Sequence, residues 1–342
     1  MMRISVVIVN YRTPDMVLAC LKSLDAERGA FPGLKAVVVD NASGDDSVAI
    51  LTRETGKAPF AEWVRFTPLP HNGGFGWGNN EAILSLLDDD APPEAILLLN
   101  PDAMIEPGAI TALAQDMERR PDAGAIGSQL VNQDGSLSGS AFRFPTIARE
   151  FIRGAGIGGL GRILGIKPIL VPIGEAGEVD WVTGASVLVR TPALREAGMF
   201  DTGFFLYFEE VELMHRFGQH GWKCYHCPDS RVVHVAGAST GVVDGRSGAG
   251  RAPPDYVFHS RHRYFALTAG RRGPWLADLA WLGGDLLARL VGLFSRRYAA
   301  HDNVAERKAL LRIGIGAGGK RAHPAITRTG DPAGRPPAWM ET

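Results

Sequence analysis

The N-terminal hundred residues alternate short unbroken apolar runs with stretches of helical spacing. Ile4-Ser5-Val6-Val7-Ile8-Val9 is the first run. A nearly continuous run of this length predicts a strand buried on both faces, as in a parallel sheet. Val17, Leu18, Leu21 and Leu24 then share one helical face, which predicts a helix from Pro14 to Leu24. Ala36–Val39 predicts the second strand, Ser47–Thr55 the second helix and Val64-Arg65-Phe66 the third strand. Asn79–Leu87 reads as a helix and Ala95–Leu99 as the fourth strand. Such alternation predicts an α/β domain with a mainly parallel central sheet. Each polar cluster follows a strand: Asp40-Asn41-Ala42-Ser43-Gly44-Asp45, the loop His71–Gly78, and Asn100-Pro101-Asp102. Open α/β sheets bind ligands at those strand ends.

The pattern changes after residue 146. Residues 146–178 hold Gly154, Gly156, Gly158, Gly159 and Gly161, with Pro168 and Pro172 beyond. That glycine density opposes a helix and predicts a mobile loop or lid. Strand character returns from Val179 to Val189, a short helix follows at Pro192–Ala197, and Trp222–Tyr225 and Val232-Val233 read as late strands. Beyond Arg251 the chain is helical. From Trp275 to Arg297 a single polar stripe is formed by Asp278, Asp285, Arg289 and Arg296, and the other faces are apolar. That helix is expected either to lie on a membrane face or to pack onto the rest of the chain. The Gly- and Pro-rich tail from Ile313 is expected to be disordered. The expected organisation is a domain over residues 1–250, a helical extension over 251–312 and a tail over 313–342.

Bulk properties narrow the class. The 342 residues are 45% hydrophobic, with mean hydropathy −0.01, which suits a globular protein of one large domain plus an extension. A net charge of −1 argues against a general nucleic-acid binder. Residues 251–321, however, carry thirteen Lys and Arg against five Asp and Glu, a patch suited to anionic lipid or a phosphorylated substrate. Three cysteines make no disulfide framework, and no signal peptide or transmembrane run is seen. A cytoplasmic location is expected, with possible attachment to the inner face of the plasma membrane. Cys224-Tyr225-His226-Cys227 resembles half a zinc site, but on a strand its cysteines would face opposite ways.

Five places could carry chemistry. Asp40 could accept a hydrogen bond from the N3–H of a uracil or thymine ring, or simply form a turn. The loop Asn72-Gly73-Gly74-Phe75-Gly76-Trp77-Gly78-Asn79-Asn80 could bring backbone close to a phosphate at a helix N-terminus, or be a plain loop. It lacks the context of a dinucleotide fingerprint. Asp102 could ligate a hard divalent cation or sit in a surface turn. Glu209-Glu210-Val211-Glu212 follows the aromatic run Phe204-Phe205-Leu206-Tyr207-Phe208. These carboxylates are either a solvated helix start or buried groups of the kind that serve as a general base. His234 is either a ligand or a core histidine.

Taken in order, these motifs resemble the family 2 glycosyltransferases with the GT-A fold, in particular their bacterial rhamnosyltransferase-like branch. Val7-Ile8-Val9-Asn10-Tyr11 looks like the opening strand and Val39-Asp40-Asn41-Ala42-Ser43 the base-binding turn. Asn72-Gly73-Gly74-Phe75-Gly76 with Gly78-Asn79-Asn80 resembles the branch's signature loop, and Asn100-Pro101-Asp102 stands in place of the DxD metal motif. Gly184-Ala185, Gly198-Met199-Phe200-Asp201 and Phe204-Phe205-Leu206-Tyr207 lead into the catalytic stretch, and His234 falls at a late metal-ligating histidine. The family's Glu-Asp-x-Asp is here Glu-Glu-Val-Glu. The resemblance covers about residues 4–240.

It implies inverting transfer of a sugar, L-rhamnose from dTDP-L-rhamnose, to a hydroxyl of a cell-surface glycan or lipid-linked acceptor. Glu210 would be the base, with Glu209 as runner-up. Asn10, Tyr11, Asp40, Asn41, Asn72, Gly73, Gly74, Phe75, Asn79, Asn100 and Asp102 would bind the dTDP- or UDP-linked donor. Asp102 and His234 would hold Mg2+ or Mn2+, and Gly184, Ala185 and Glu212 would meet the acceptor. The rival readings are transfer of galactose, mannose or another sugar on the same fold, and a non-catalytic nucleotide-sugar or glycan binder.

Overall fold

The structure of the chain is a computed structural model. It describes residues 2–235, 242–243, 246–247, 253–294, 303–316, 322–337 and 339–340. The first half runs β1 (Ile4–Asn10), α1 (Pro14–Glu27), β2 (Lys35–Asp40), α2 (Ser47–Thr55), β3 (Val64–Pro68), α3 (Phe75–Leu87), β4 (Ala95–Leu99), β5 (Ala103–Ile105), α4 (Ala109–Arg119) and β6 (Ala123–Val131). Then come β7 (Ala141–Phe142), α5 (Ile147–Ala155), α6 (Leu160–Ile163), β8 (Gly177–Val179), β9 (Trp181–Val182), β10 (Ser186–Arg190), α7 (Thr191–Ala197), α8 (Glu209–Gln219) and β11 (Lys223–His234). The extension supplies α9 (Asp255–Thr268), α10 (Gly273–Gly292) and α11 (Val304–Gly316).

A nine-stranded sheet has the order β3-β2-β1-β4-β10-β6-β11-β5, with β8 also on β11. β1, β2, β3, β4, β6 and β11 run one way; β10, β5 and β8 run the other. Alternate residues of the central strands feed two cores. Val6, Ile8, Val38 and Leu97 pack with α1 and α4 on one face, while Val7, Val9, Val37 and Leu98 pack with α3, α7 and α8 on the other. This two-sided burial accounts for the unbroken apolar runs. Asn10 lies opposite Asp40 in the β1–β2 register, so both polar residues emerge at one edge of the sheet. Cys224 and Cys227 belong to opposite cores, as their spacing on a strand requires.

Several expectations are corrected. α3 begins at Phe75, four residues before Asn79. The two late strands are one, β11, with a register shift between Cys227 and Arg231. Residues 147–155, expected in a loop or lid, form the helix α5, capped by the Thr146 hydroxyl, which accepts from the Arg149 N–H at 3.2 Å. The glycines mislead here because they serve contact: a Cβ on Gly154 would lie 2.1 Å from the Trp281 carbonyl oxygen, and one on Gly284 2.1 Å from that of Phe151. The two helices α5 and α10 therefore touch backbone to backbone.

The two aspartates of the α10 stripe face inward, whereas Arg289 stays exposed. Asp278 is buried and accepts hydrogen bonds from Arg261 and from His262 Nε2, the latter at 2.8 Å. Arg261 also donates to Glu150 of α5 at 2.8 Å. Asp285, 1% exposed, accepts from Arg307 at 2.7 Å. The apolar side is left outside: Leu279 is 63% exposed, Leu293 76% and Phe294 92%. The expected packing of this helix onto the rest of the chain thus uses its aspartates, and Arg296 lies outside the described residues.

The tail, expected to be disordered, is pinned to the domain through its backbone over the described residues 322–337. Met199 N–H donates to the Thr327 carbonyl and Thr202 N–H to that of Ala325, both at 2.9 Å. Trp77 Nε1 donates to the Arg335 carbonyl at 2.8 Å.

Candidate active site

The first part of the site is a buried turn at the ends of β1 and β2. Asp40, fully buried, accepts from Asn10 Nδ2 at 2.7 Å, Ser43 Oγ at 2.6 Å and Ser43 N–H at 3.0 Å. Asn10 in turn accepts from Thr13 N–H and hydroxyl, at 3.2 and 3.1 Å. Arg12, at φ 59°, donates from its backbone to Ser43 Oγ at 2.9 Å, and its guanidinium lies 5.1 Å from the centre of the Tyr11 ring. Asp40 therefore shapes the turn through Asn10 and Ser43.

Asn41 ties this turn to the glycine loop. Its Nδ2 donates to Asn72 Oδ1 and to the Gly74 carbonyl, both at 3.0 Å, and its buried Oδ1 has no partner. The glycines are there for close approach. Gly74 has φ 87°, and a Cβ on it would sit 2.1 Å from the Phe205 carbonyl oxygen, which accepts from Phe75 N–H at 3.0 Å. A Cβ on Gly73 would enter the Trp77 ring at 2.3 Å. Asn79, 1% exposed, is turned back onto the Phe75 carbonyl at 2.9 Å, so the structure does not bring its amide to the site. Asn80 instead clamps Phe200, accepting from its N–H and donating to its carbonyl at 2.9 Å each.

A third group gathers at the end of β4. Pairing of β11 with β5 sets His234 opposite Ala103. His234 Nε2 lies 3.2 Å from Asp102 Oδ1 and 3.4 Å from Asn100 Nδ2. Asp102 is 8% exposed. One carboxylate, one amide and one imidazole form a mixed oxygen and nitrogen set of low charge. Among the described residues no three His, Cys, Asp or Glu side chains converge, so the third member here is a neutral amide.

The fourth group is the start of α8. Tyr207 and Phe208 both have positive φ, 69° and 68°, strained geometry for aromatic residues that turns the chain sharply into the helix. A Cβ built on Gly184 would contact the Phe75 ring at 3.4 Å and the Glu210 Cβ at 3.8 Å. The Ala185 carbonyl accepts from Asn100 N–H at 2.9 Å. Gly184-Ala185 thus bridges Glu210 and the Asn100–Asp102–His234 group. Oε2 of Glu209 and Oε2 of Glu210 are both buried without a partner. Burial pushes the Glu210 carboxyl up to about 7, although amides of the first helical turn pull it down. Burial, reinforced by the charge of Glu210, raises Glu209 further. Burial and the like charge of its neighbour thus disfavour ionising both carboxyls of the pair together.

Glu212 requires correction. Expected at the acceptor, it pairs two-pronged with Arg216, at 3.0 and 2.8 Å. Arg216 also donates to the carbonyls of Ala197, Gly198 and Met199, at 2.6, 2.9 and 2.8 Å. The pair ties α8 to the end of α7, and the four-residue spacing of Glu212 and Arg216 was the available signal. The pairing of Asp201 with Arg263 was also missed. Arg263 of α9 reaches Asp201 at 2.7 Å and holds the turn before α8. Their separation of 62 residues left no local trace.

The family model described as "Glycosyltransferase like family 2" matches residues 2–250. The N-acetylglucosaminyl-diphospho-decaprenol L-rhamnosyltransferase of Mycobacterium tuberculosis is 31% identical over 250 residues, covering 66% of this chain and 74% of that protein. Rhamnosyltransferase WbbL of Escherichia coli is 26% identical over 168 residues, covering 48% of this chain and 61% of its own length. In structure, the mannosyltransferase of Pyrobaculum calidifontis, solved with GDP-Man and Mn2+, gives a TM-score of 0.51 at 14% identity, over 92% of this chain and 80% of that one. GalNAc-T7, solved with UDP, GalNAc and Mn2+, gives a TM-score of 0.51 at 14% identity, over 79% of this chain and 51% of that one. With the family model matched over residues 2–250 and a relative 31% identical over two thirds of the chain, the chain belongs to the family 2 glycosyltransferases and has their GT-A fold.

Proposed function

We propose that the protein moves L-rhamnose from dTDP-L-rhamnose, with inversion, onto the hydroxyl of a lipid-linked glycan acceptor. The observation that carries this reading is Glu210: a half-buried side chain whose buried Oε2 has no partner, whose carboxyl is pushed up to about 7 and which packs beside Gly184. In the reaction the acceptor oxygen bonds to C1 of the donor sugar as the bond from C1 to the diphosphate oxygen breaks. Glu210 takes the hydroxyl proton. The Asn10–Asp40–Ser43 turn and Asn41 orient the base and ribose end of the donor. Named relatives acting as rhamnosyltransferases favour this donor over galactose or mannose. The test is incubation with dTDP-L-rhamnose and a short-chain N-acetylglucosaminyl diphospholipid. The expected product is a rhamnosylated lipid of inverted anomeric configuration. Product from UDP-galactose or GDP-mannose, and none from dTDP-L-rhamnose, overturns the donor assignment. Asp40→Ala should loosen the turn and weaken dTDP and UDP binding by ~1–3 kcal/mol in calorimetry, the range for an unmet buried hydrogen bond.

Asp102, His234 and the Asn100 amide fit a divalent cation, Mg2+ or Mn2+, whose remaining ligands would be diphosphate oxygens. Such an ion would neutralise charge on the leaving diphosphate. The Asp102 carboxylate supplies the only anionic side chain of this set, so Asp102→Ala should abolish saturable Mn2+ binding in calorimetry. The variant should also raise the donor KM, and His234→Ala should do both more weakly. Full turnover in excess EDTA would rule the ion out.

The outward face of α10 is placed, in this reading, on an anionic membrane surface. Exposed Leu279, Leu286, Leu293 and Phe294 supply the apolar contact, with Arg271 and Arg272 at the head of the helix and Arg289 along it. Exposed Ile163 and Arg162 of the neighbouring segment repeat the combination. Basic residues near anionic lipid contribute about 1 kcal/mol each. No described helix is long and apolar enough to cross a membrane, so contact is peripheral. Vesicles containing phosphatidylglycerol should float the protein at low salt, and Leu279→Glu with Leu293→Glu should lose this. A salt-independent dimer that these substitutions split, with no flotation, would assign the face to a second copy.

A further inference from the structure

Beside Glu210 lies an aromatic cluster that the transfer chemistry does not use. Phe205 meets Tyr256 at 5.6 Å between ring centres and Trp339 at 5.4 Å, both edge to face. Tyr207 stacks on Tyr256 at 6.2 Å with the rings 13° apart. The three contributing regions are far apart in sequence: the turn before α8, the first turn of α9, and the C-terminal segment. Each is fastened separately. The Phe205 carbonyl accepts from Phe75 N–H at 3.0 Å, and the Leu206 carbonyl accepts from Ser260 of α9 at 2.8 Å. The C-terminal segment is held by Trp77 at the Arg335 carbonyl and by Glu81, which accepts from Gly334 N–H at 2.7 Å.

Unlike Phe204, which is fully buried, the cluster stays open to solvent: Trp339 is 38% exposed, and Phe205, Tyr207 and Tyr256 are half-buried. It borders Phe75, whose ring also lines the approach to Glu210 beside Gly184. The Asp40 turn meets the glycine loop through Asn41, which donates to Asn72 and to the Gly74 carbonyl. An open set of near-perpendicular and stacked rings, next to the group that takes the acceptor proton, suits a ligand with an apolar face and polar rim. A pyranose ring has that shape.

We infer that Tyr207, Tyr256 and Trp339 form a stacking platform for the sugar ring of the acceptor, so that the helical extension and the C-terminal segment complete the acceptor site. This rests on the transfer reading above and adds which residues select the acceptor. The platform binds without entering the reaction, so its loss should appear in acceptor KM and leave the donor side intact.

The experiment compares the wild type with Trp339→Ala, Tyr256→Ala and the ring-keeping Trp339→Phe and Tyr256→Phe. The probe is a short-chain N-acetylglucosaminyl diphospholipid, followed by calorimetry and by steady-state kinetics. The alanine variants should weaken probe binding and raise its KM by about tenfold. The phenylalanine variants should recover most of this, with dTDP affinity unchanged throughout. Unchanged probe binding in both alanine variants overturns the platform, as does an equal loss of dTDP affinity, which would mark a packing role. Failure of the wild type to bind the probe overturns it also. Probe binding that depends on these rings without any turnover of dTDP-L-rhamnose would keep the platform and overturn the transfer reading instead.

Discussion

Glu210→Gln is expected to lower transfer by ~10²–10⁴-fold while leaving donor binding in place, the scale typical of a general base. The substitution keeps the shape of the side chain beside Gly184 but removes the proton acceptor. Glu209→Gln should cost far less, because burial and its neighbour's charge already favour the neutral form of Glu209. The wild-type rate should climb with pH and level off above about 7, where Glu210 is ionised. The same group fixes a stability effect of opposite sense. Its folded-state pKa lies above the ~4.3 of an unfolded chain. The native state therefore loses stability as pH rises from about 4 through about 7. Glu210→Gln should accordingly melt above wild type at pH 8, with the difference gone near pH 4. Pre-steady-state release of dTDP together with melting curves checks both. Activity surviving Glu210→Gln but lost in Glu209→Gln would exchange the two roles.

Asp278→Ala should destabilise the helical extension by ~3–5 kcal/mol, the usual cost of leaving a buried partner charge uncompensated. Arg261 and His262 both lose their Asp278 contact, and the side chains of Arg261 and Asp278 are only 4% and 9% exposed. Arg261 keeps Glu150, which burial would raise but the guanidinium groups of Arg153 and Arg261 hold down to about 2. The pairing should therefore fail in part, opening α10 before the sheet. Chemical denaturation should show an early transition, and hydrogen exchange should speed up first in α9 and α10. A single unshifted transition would deny the cluster its structural weight.

The parallel half of the sheet was legible because its strands are buried on both faces. Continuous runs of valine, isoleucine and leucine in β1, β2 and β4 leave few other arrangements. The strand-end residues Asp40, Asn41, Asn100 and Asp102 were legible for the same reason, as they follow those runs directly. The orientation of α10 was not. Periodicity identifies the faces of a helix, and this stripe of charges reads as a wet surface until Arg261, His262 and Arg307 are known to lie opposite. Those partners are 16 to 22 residues away and on other helices. Gly154 and Gly284 likewise look like helix breakers, although each is required by the other helix. The C-terminal segment gave no signal because it is held mostly through backbone carbonyls, at Ala325, Thr327 and Arg335, which any sequence possesses.

The inward ion pairs of α10 also fix a bearing. Asp278 and Asp285 are two helical turns apart and are anchored to different helices, α9 and α11, so the cylinder cannot roll without parting both. A roll of one residue would swing the leucine face by about 100°. With both charges seated, a bilayer meeting that face meets the molecule at one angle only. On the membrane reading proposed above, Glu210 would then sit at a set height and tilt above the lipid, and the length of glycan able to bridge that gap would be a property of the helix's rotation.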